Sequence, residues 1–366
     1  MSETIAIRQA TLADKPIIFD FLRIAYAGRS AFKFPHRWEW EFERNPFWEG
    51  EGLPIWIAVD EGSGRVVGQS CALVEPLVIG GRECGVGWGV DFYVLPDFRG
   101  RGIGTKLQAA NSAGNEVFMS LSMAQSAQRI KASLGMQSLS PVPAFTKIVE
   151  HSPESVLETL GKRVSFAPAS ILRGLRIHTW LANRLTKRDA HFDQQHRQTR
   201  DPAIRIECRE TFGDEINILW NALSPKFSAL VRRDSEYLDW KFSQQPHMHH
   251  EKFVARQDGE IRGYVILRRA RPPERNAGIV VDMFAAPSDE AVIRALLLHA
   301  IQRFREQDVA YIAAASSVPA YQKSLRRLGF EQTKMVTPMV RAGVAVPHEG
   351  WLLGKGDHDW DQYPLA

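Results

Sequence analysis

The chain repeats itself. Trp40-Glu41-Phe42 leads to Pro46, and Trp240-Lys241-Phe242 leads to Pro246 two hundred residues later. Ile57-Ala58-Val59 runs through an acidic glycine turn to Gly68, as Val254-Ala255-Arg256 runs through Asp258-Gly259 to Gly263. Val90-Asp91-Phe92-Tyr93-Val94-Leu95-Pro96 matches Val281-Asp282-Met283-Phe284-Ala285-Ala286-Pro287, and Leu134-Gly135-Met136 matches Leu328-Gly329-Phe330. Four landmarks kept in one order argue for duplication of a single unit rather than for chance matches of short apolar runs. A chain of 366 residues has room for two domains of ordinary size. The expected division is a first domain at 1–150, a linker at 151–203, a second domain at 204–343 and a tail at 344–366.

Each copy reads as an α+β unit. An opening strand at Thr4 to Arg8 leads into a helix capped near Thr11 or Asp14, with Ile17, Ile18, Phe21, Leu22 and Ala25 at helical spacing. Alternating strands follow as hairpins, and a further strand ends at Pro96. A glycine-rich turn then opens a helix carrying Leu107, Ala110 and Val117, and another strand and a short helix end at Gly135. The order implies an α+β unit built on a mixed sheet. The second copy repeats it from about Ile204 to Met339.

Charge and cysteine usage narrow the class of protein. From Ile171 to Arg200 stand seven Lys/Arg and two Asp/Glu, a local +5, so the rest of a chain with net charge +4 sums to −1. The basic charge thus sits in the linker and not on a folded face, which argues against a nucleic-acid binder. Within the linker a helix is expected from Ser170 to Leu185. Its apolar stripe is expected to pack on a neighbouring domain, with peripheral contact to an anionic membrane as the alternative. No run of 18 apolar residues occurs, so no transmembrane segment is expected. Three cysteines without a C-x-x-C pair, and no signal-peptide pattern, suggest a reducing, cytoplasmic setting. The acidic, aromatic tail is expected to lie over a domain surface.

The sharpest local signal is Arg99-Gly100-Arg101-Gly102-Ile103-Gly104, placed after a strand and before a helix. Alternate glycines let the backbone turn tightly and approach a ligand, and the helix that follows starts with unpaired N–H groups and the positive end of its dipole. Together they form a cradle for an anion such as a pyrophosphate, to which Arg99 and Arg101 add charge. The plainer alternative is a glycine-rich turn with solvated arginines. A P-loop needs Gly-Lys-Ser/Thr, and here Gly104 is followed by Thr105-Lys106. A dinucleotide fingerprint needs G-x-G-x-x-G at the first strand of its unit. Neither fits.

The run from Val94 to Gly104 resembles the acyl-CoA-binding signature of the GNAT superfamily of N-acetyltransferases, V-x-P-x-x-(Q/R)-x-x-G-x-(G/A). Residues 4 to about 145 are similar to that family, and about 204 to 340 more weakly, giving two tandem GNAT-like domains; the resemblance implies that the sheet of each is mostly antiparallel and flanked by helices. The resemblance implies that backbone amides around Arg101, Gly102, Ile103, Gly104 and Thr105 hold the CoA pyrophosphate. It implies also that the strand carrying Phe92, Tyr93 and Val94 splays from its neighbour to admit the pantetheine arm. Backbone N–H groups there would polarise the thioester carbonyl for direct attack by the acceptor.

This chain departs from the pattern at two positions. Lys131 stands where many relatives carry the Tyr that protonates the leaving thiolate, and Ala124 replaces an Asn that contacts the pantetheine. For a base, Asp91 is the nearest carboxylate on the central strand, unless it is a structural, hydrogen-bonded group like its repeat partner Asp282. In the second copy, Glu290 to Ala295 stand opposite the cradle without a glycine, so only the first copy is expected to bind CoA. Trp38, Trp40 and Trp48 cluster where this fold borders its acceptor and are candidates to stack on it, although Trp240 repeats Trp40 and points to core packing. His247, His249 and His250 read as a solvated loop and not as a metal site, and Asp357-His358-Asp359 is treated with the same reserve.

The expected function is acyl transfer from acetyl-CoA or another acyl-CoA to the amine or hydroxyl of a small molecule or sugar. The alternatives are a tRNA-dependent aminoacyl- or peptidyl-transferase with two such domains, against which the intact cradle speaks, and a non-catalytic acyl-CoA sensor or scaffold. No metal is called for. Two fused copies can satisfy each other as a pseudo-dimeric monomer, with a homodimer as the other expectation.

Overall fold

The computed structural model describes residues 4–121, 125–149, 201–270 and 276–362, together with Thr179. Of the linker helix expected at 170–185 only Thr179 is among these residues, and it is helical; Ala124 lies outside them. The described residues divide into two units: unit 1 takes those of Met1–Val142, Thr211–His249 and Met335–Gln362, and unit 2 those of Pro143–Glu210, His250–Lys334 and Tyr363–Ala366. The repeat boundaries at 1–150 and 204–343 follow the chain, whereas the packed units interleave along it.

The first repeat supplies β1 (Ile5–Gln9), α1 (Lys15–Ala25), the short helices α2 (Ser30–Lys33) and α3 (His36–Trp38), β2 (Ile55–Asp60), β3 (Arg65–Ile79), β4 (Arg82–Val94), α4 (Ile103–Ala113), β5 (Val117–Ser120), α5 (Gln125–Ser133), β6 (Gln137–Ser138) and β7 (Val142–Ile148). The second supplies β8 (Arg205–Arg209), α6 (Glu215–Leu223), β9 (Ala229–Val231), α7 (Ser235–Phe242), β10 (Glu251–Gln257), β11 (Glu260–Ala270), β12 (Ala277–Ala285), α8 (Glu290–Glu306), β13 (Tyr311–Ala315), α9 (Pro319–Arg327), β14 (Glu331–Val336), β15 (Met339–Ala342) and β16 (Trp351–Leu352).

One sheet runs β1-β2-β3-β4-β5-β15-β6, with β9 added to the end of β3 and β16 beside β9; the other runs β14-β7-β13-β12-β11-β10-β8. Only β4–β5, β9–β16 and β12–β13 are parallel among the registers described. Read from β1 and from β8, the two orders coincide strand for strand. The last long strand of each repeat is exchanged: β7 pairs with β13 in the second sheet, and β15 pairs with β5 in the first. This is the duplicated, mostly antiparallel α+β architecture that the repeat implies.

Local sequence accounts for the elements that frame the site. Ile18, Phe21 and Leu22 form the buried stripe of α1. At its start Asp14 accepts the Thr11 N–H at 2.8 Å and clamps the Arg8 guanidinium at 2.6 and 2.7 Å. Gly87 on β4 and Gly278 on β12 hold the same place in the two repeats. A Cβ would meet the Asn115 side chain at 2.2 Å in one and the Phe304 ring at 2.5 Å in the other. A close approach of this kind leaves room only for glycine.

The tail departs from expectation. Instead of lying over a surface, residues 351–362 are buried throughout within unit 1. Trp351 and Leu352 add a strand to β9, and Asp357 meets the guanidinium of buried Arg233 at 3.0 and 3.1 Å. Apolar Trp351, Leu352, Leu353 and Trp360 supply the burial that an exposed strap would lack. Replacing Asp357 by Ala breaks this buried ion pair with Arg233 and is expected to cost roughly 3–5 kcal/mol of stability, measured by urea unfolding with tryptophan fluorescence; a loss under about 1 kcal/mol, the usual worth of an exposed pair, contradicts this anchoring.

Candidate functional site

The site in unit 1 is organised by β4. Its parallel ladder with β5 runs from Val86 to Trp88, opposite Val117 to Met119, and ends there. Toward β3, Gln69 faces Tyr93 and Cys71 faces Val90, so that Asp91 and Phe92 together oppose Ser70. This is a β-bulge. Asp91 takes a left-handed φ of +48°, a conformation that costs a non-glycine residue roughly 1–3 kcal/mol and tends to persist where function requires it. The Gln69 amide donates to the Asp91 carbonyl at 3.2 Å and pins the bulge. The Asp91 carboxylate is buried in an ion pair with Lys33.

Phe92 in the bulge and Tyr93 after it are both half-buried. Phe92 packs against the start of α4, where a Cβ on Gly104 would come within 3.1 Å of its ring. Tyr93 lies 5.6 Å from the Tyr26 ring and beneath the Arg99 guanidinium at 5.2 Å. Val94 is buried, and its carbonyl accepts Arg99 Nε at 2.9 Å. Arg101 donates to the Asp97 carbonyl at 3.1 Å. Gly100 and Gly102 have φ of +76° and +75°, and a Cβ on either would point into open space. Gly102 is the N-cap of α4 and offers its helix no capping side chain. The amides following it, at Ile103, Gly104 and Thr105, therefore begin a helix whose positive end is unshielded by any capping carboxylate. A helix start of this kind favours an anion.

At the other end of the opened strand, two groups converge on Gly89, the first residue past the ladder. A Cβ there would meet Phe118, Ser120 and Lys131 at 2.8, 2.9 and 3.0 Å. Lys131 is buried, hydrogen-bonds the Ser120 hydroxyl and lies 4.7 Å from the Phe118 ring centroid. It has no carboxylate partner among the described residues, and burial pulls its pKa down to about 7. The second group is His358 from the tail. Its Nε2 donates to the Gly89 carbonyl at 3.1 Å, and its Nδ1 lies 2.6 Å from Asp359. Burial opposes the imidazolium charge, but the Asp359 carboxylate and the Gly89 carbonyl outweigh it and hold the His358 pKa above its ordinary value. Like Asp91, His358 has a left-handed φ, +69°.

A buried ionic network surrounds these residues. Arg37 bridges Glu41 at 2.9 Å and Asp359 at 3.0 Å. Burial raises the Glu41 pKa, whereas for Asp359 the burial penalty is overcome by His358 and Arg37 and its pKa falls far below the carboxylate range. Lys241 pairs with Glu75 at 2.5 Å and donates to the His358 carbonyl at 3.2 Å. Lys33, Arg37 and Glu75 carry no local sequence signal for this network, and Glu41 and Lys241 stand out only as members of the Trp-x-Phe repeat; the Asp357-His358-Asp359 run is the one local pointer to it.

Other singled-out residues are placed as follows. Trp38 is buried against Phe19 and Phe42 at 5.3 and 6.0 Å. Trp40 stacks on its repeat partner Trp240 at 4.7 Å and donates to the Trp240 carbonyl at 3.3 Å. These contacts are core contacts. His247 and His250 do not form a solvated loop: His247 packs on Trp40 and bonds Gln362 at 3.0 Å, and His250 is buried. No cluster of metal-ligating side chains occurs among the described residues.

Unit 2 fills the corresponding places with its own side chains. Asp289 caps α8, accepting the Val292 N–H at 3.1 Å. The Glu290 carboxylate pairs with Lys323 and Arg327. On β12 the Tyr321 hydroxyl accepts from the Ala285 N–H at 2.9 Å and donates to its carbonyl at 2.6 Å. Asp282, the repeat partner of Asp91, accepts the Tyr264 hydroxyl at 2.6 Å.

The strand order, the bulge and the opened β4 define a tandem GNAT fold. Residues 19–116 match the model of the Acetyltransferase (GNAT) family. Similar solved structures include a GCN5-related N-acetyltransferase from Anabaena variabilis (10% identity, TM-score 0.59, 92% of this chain and 72% of that one). A Saccharomyces cerevisiae N-myristoyltransferase with bound myristoyl-CoA is also similar (11%, TM-score 0.56, 95% and 84%). A third is a tandem GNAT protein from the clavulanic acid biosynthesis pathway (11%, TM-score 0.51, 94% and 100%). No curated protein matches the sequence.

The Lys131 environment has a pH signature. Between about 7 and the ordinary lysine value of 10.5, the unfolded chain holds a proton that the folded chain has released, so stability rises with pH across that window and the penalty is constant below it. Urea unfolding of wild type and Lys131→Met at pH 7 and pH 10 should show the wild type gaining stability relative to the variant. A difference that does not change with pH contradicts the buried, carboxylate-free placement.

Proposed function

We propose that unit 1 binds an acyl-CoA and transfers its acyl group to an amine or hydroxyl of a small-molecule or sugar acceptor. The observation that carries this reading is the open turn at Gly100 and Gly102 leading into the uncapped N-terminus of α4, in line with a β4 that has parted from β5. Amides of Arg101 to Thr105 hold the diphosphate, with Arg99 and Arg101 adding charge. The backbone of Phe92, Tyr93 and Val94 borders the pantetheine arm, and an N–H at the bulge polarises the thioester carbonyl.

The acceptor attacks the thioester carbon, the carbon–sulfur bond breaks, and the sulfur leaves as a thiolate that needs a proton. Lys131, beside Gly89 and close to neutrality in its pKa, supplies that proton. Asp91, paired with Lys33 on the bulge, takes the proton that the acceptor loses. Orientation along the strand provides much of the acceleration, up to ~7–11 kcal/mol in well-aligned systems. Acetyl-CoA is the proposed donor. Unit 2 takes no CoA, since Asp289 and Tyr321 already occupy its helix start and strand backbone. The free thiols Cys71, Cys84 and Cys208 agree with a reducing, cytoplasmic setting.

Calorimetric titration of CoA into wild type and Gly102→Trp is the test. The tryptophan must adopt a left-handed φ and fill the turn, so a loss of at least about tenfold in affinity, ~1.4 kcal/mol, is expected. Equal affinity in the two proteins rules out the proposed cradle. Thiol release from acetyl-CoA over a library of amines then separates a transferase from a binding protein.

A further inference from the structure

The inner end of the β4–β5 opening is stoppered from two directions. Pairing resumes at Trp88 and Met119, so any chain lying along β4 from the glycine turn must end near Gly89. From Val94 to Gly89 is five residues, roughly 16 Å of strand. At Gly89 the α-carbon faces Phe118, Ser120 and Lys131 so closely that even a methyl group would collide at 2.8–3.0 Å. Its carbonyl, which a continued ladder would have given to β5, is taken by His358 Nε2 at 3.1 Å. His358 is itself held by Asp359 at 2.6 Å, and Asp359 by Arg37 at 3.0 Å. The His358 ring lies edge-on to Trp88 at 5.8 Å, against the end of the ladder. All of these groups are buried, and the wall they form is charged or hydroxylic apart from Phe118 and Trp88. Such a wall neither moves aside without breaking ion pairs nor solvates methylenes.

We propose that the C-terminal tail sets the length of acyl group that unit 1 accepts: His358, fixed by Asp359 against the Gly89 carbonyl, closes the inner end of the opened strand so that only a short acyl chain fits. This rests on unit 1 holding acyl-CoA along β4. His358 is a specificity-determining residue in this arrangement, and the tail belongs to the donor site although it lies more than 250 residues beyond β4 in sequence.

The experiment is a calorimetric series with CoA, acetyl-CoA and hexanoyl-CoA on the full chain. CoA and acetyl-CoA should bind alike, and hexanoyl-CoA at least about tenfold more weakly, since even one methylene too many in a fitted pocket is worth that factor. In His358→Ala, checked for folding by thermal unfolding, the hexanoyl affinity should approach that for acetyl-CoA. Should that variant not fold, the wild-type series decides alone. Equal wild-type affinity for the two acyl lengths overturns the proposal while leaving the CoA cradle intact, as does a folded His358→Ala that still discriminates. Failure to bind CoA at all removes the cradle, and this inference with it.

Discussion

Everything at the site follows from β4 ceasing to pair with β5 after Trp88. A parallel ladder that continued would have used the backbone groups of residues 89 to 94 in sheet hydrogen bonds and closed the space beside them. The bulge at Asp91 and Phe92 adds local twist that turns the strand away, and a left-handed aspartate, pinned by Gln69 and Lys33, keeps that geometry in place. The glycine turn is useful only because the strand before it has been freed in this way. In unit 2 the parallel pair β12–β13 also ends early, after Ile279 and Ala313, yet a tyrosine hydroxyl occupies the backbone that was released. The same architecture thus yields an open strand in one copy and a self-satisfied one in the other.

The buried ionic groups around β4 are expensive to desolvate, and they are arranged so that carboxylates face cations: Asp91 with Lys33, Glu41 and Asp359 with Arg37, Glu75 with Lys241, Asp357 with Arg233. Replacing such pairs by apolar residues often stabilises a protein. A structural role alone is therefore a weak reason for so many around one strand. Lys131 stands apart: its hydrogen-bond partner is the neutral Ser120 hydroxyl, and burial pulls its pKa down to about 7.

Much of the fold was legible in the sequence because its signals are local or periodic. The helix stripe of α1, the turn glycines and the strand-to-helix run at Val94 to Gly104 all lie within single elements. The Trp40/Trp240 match pointed to core packing, and the two rings stack. The ionic network was not legible, because Arg37 and Asp359 are 322 residues apart and Lys241 and Glu75 are 166 apart. No periodicity reports such a pairing. The tail was misread for the same reason: Lys355, Asp357, His358, Asp359 and Asp361 look like solvent-facing residues until their buried partners are known. Repeat matching also gave the order of strands without saying which sheet each last strand joins.

That exchange of last strands bears on how the chain is made. The first sheet lacks β15, and unit 1 lacks its buried segment 351–362, until residues 339–362 have been synthesised. An emerging first repeat exposes the free edge of β5 and an interior without its ionic partners, the kind of surface that invites wrong pairing or capture by chaperones. Folding of the front of this protein is thus timed by the arrival of its rear, and a ribosome that stalls after the first repeat leaves behind a half-built sheet and not a finished domain.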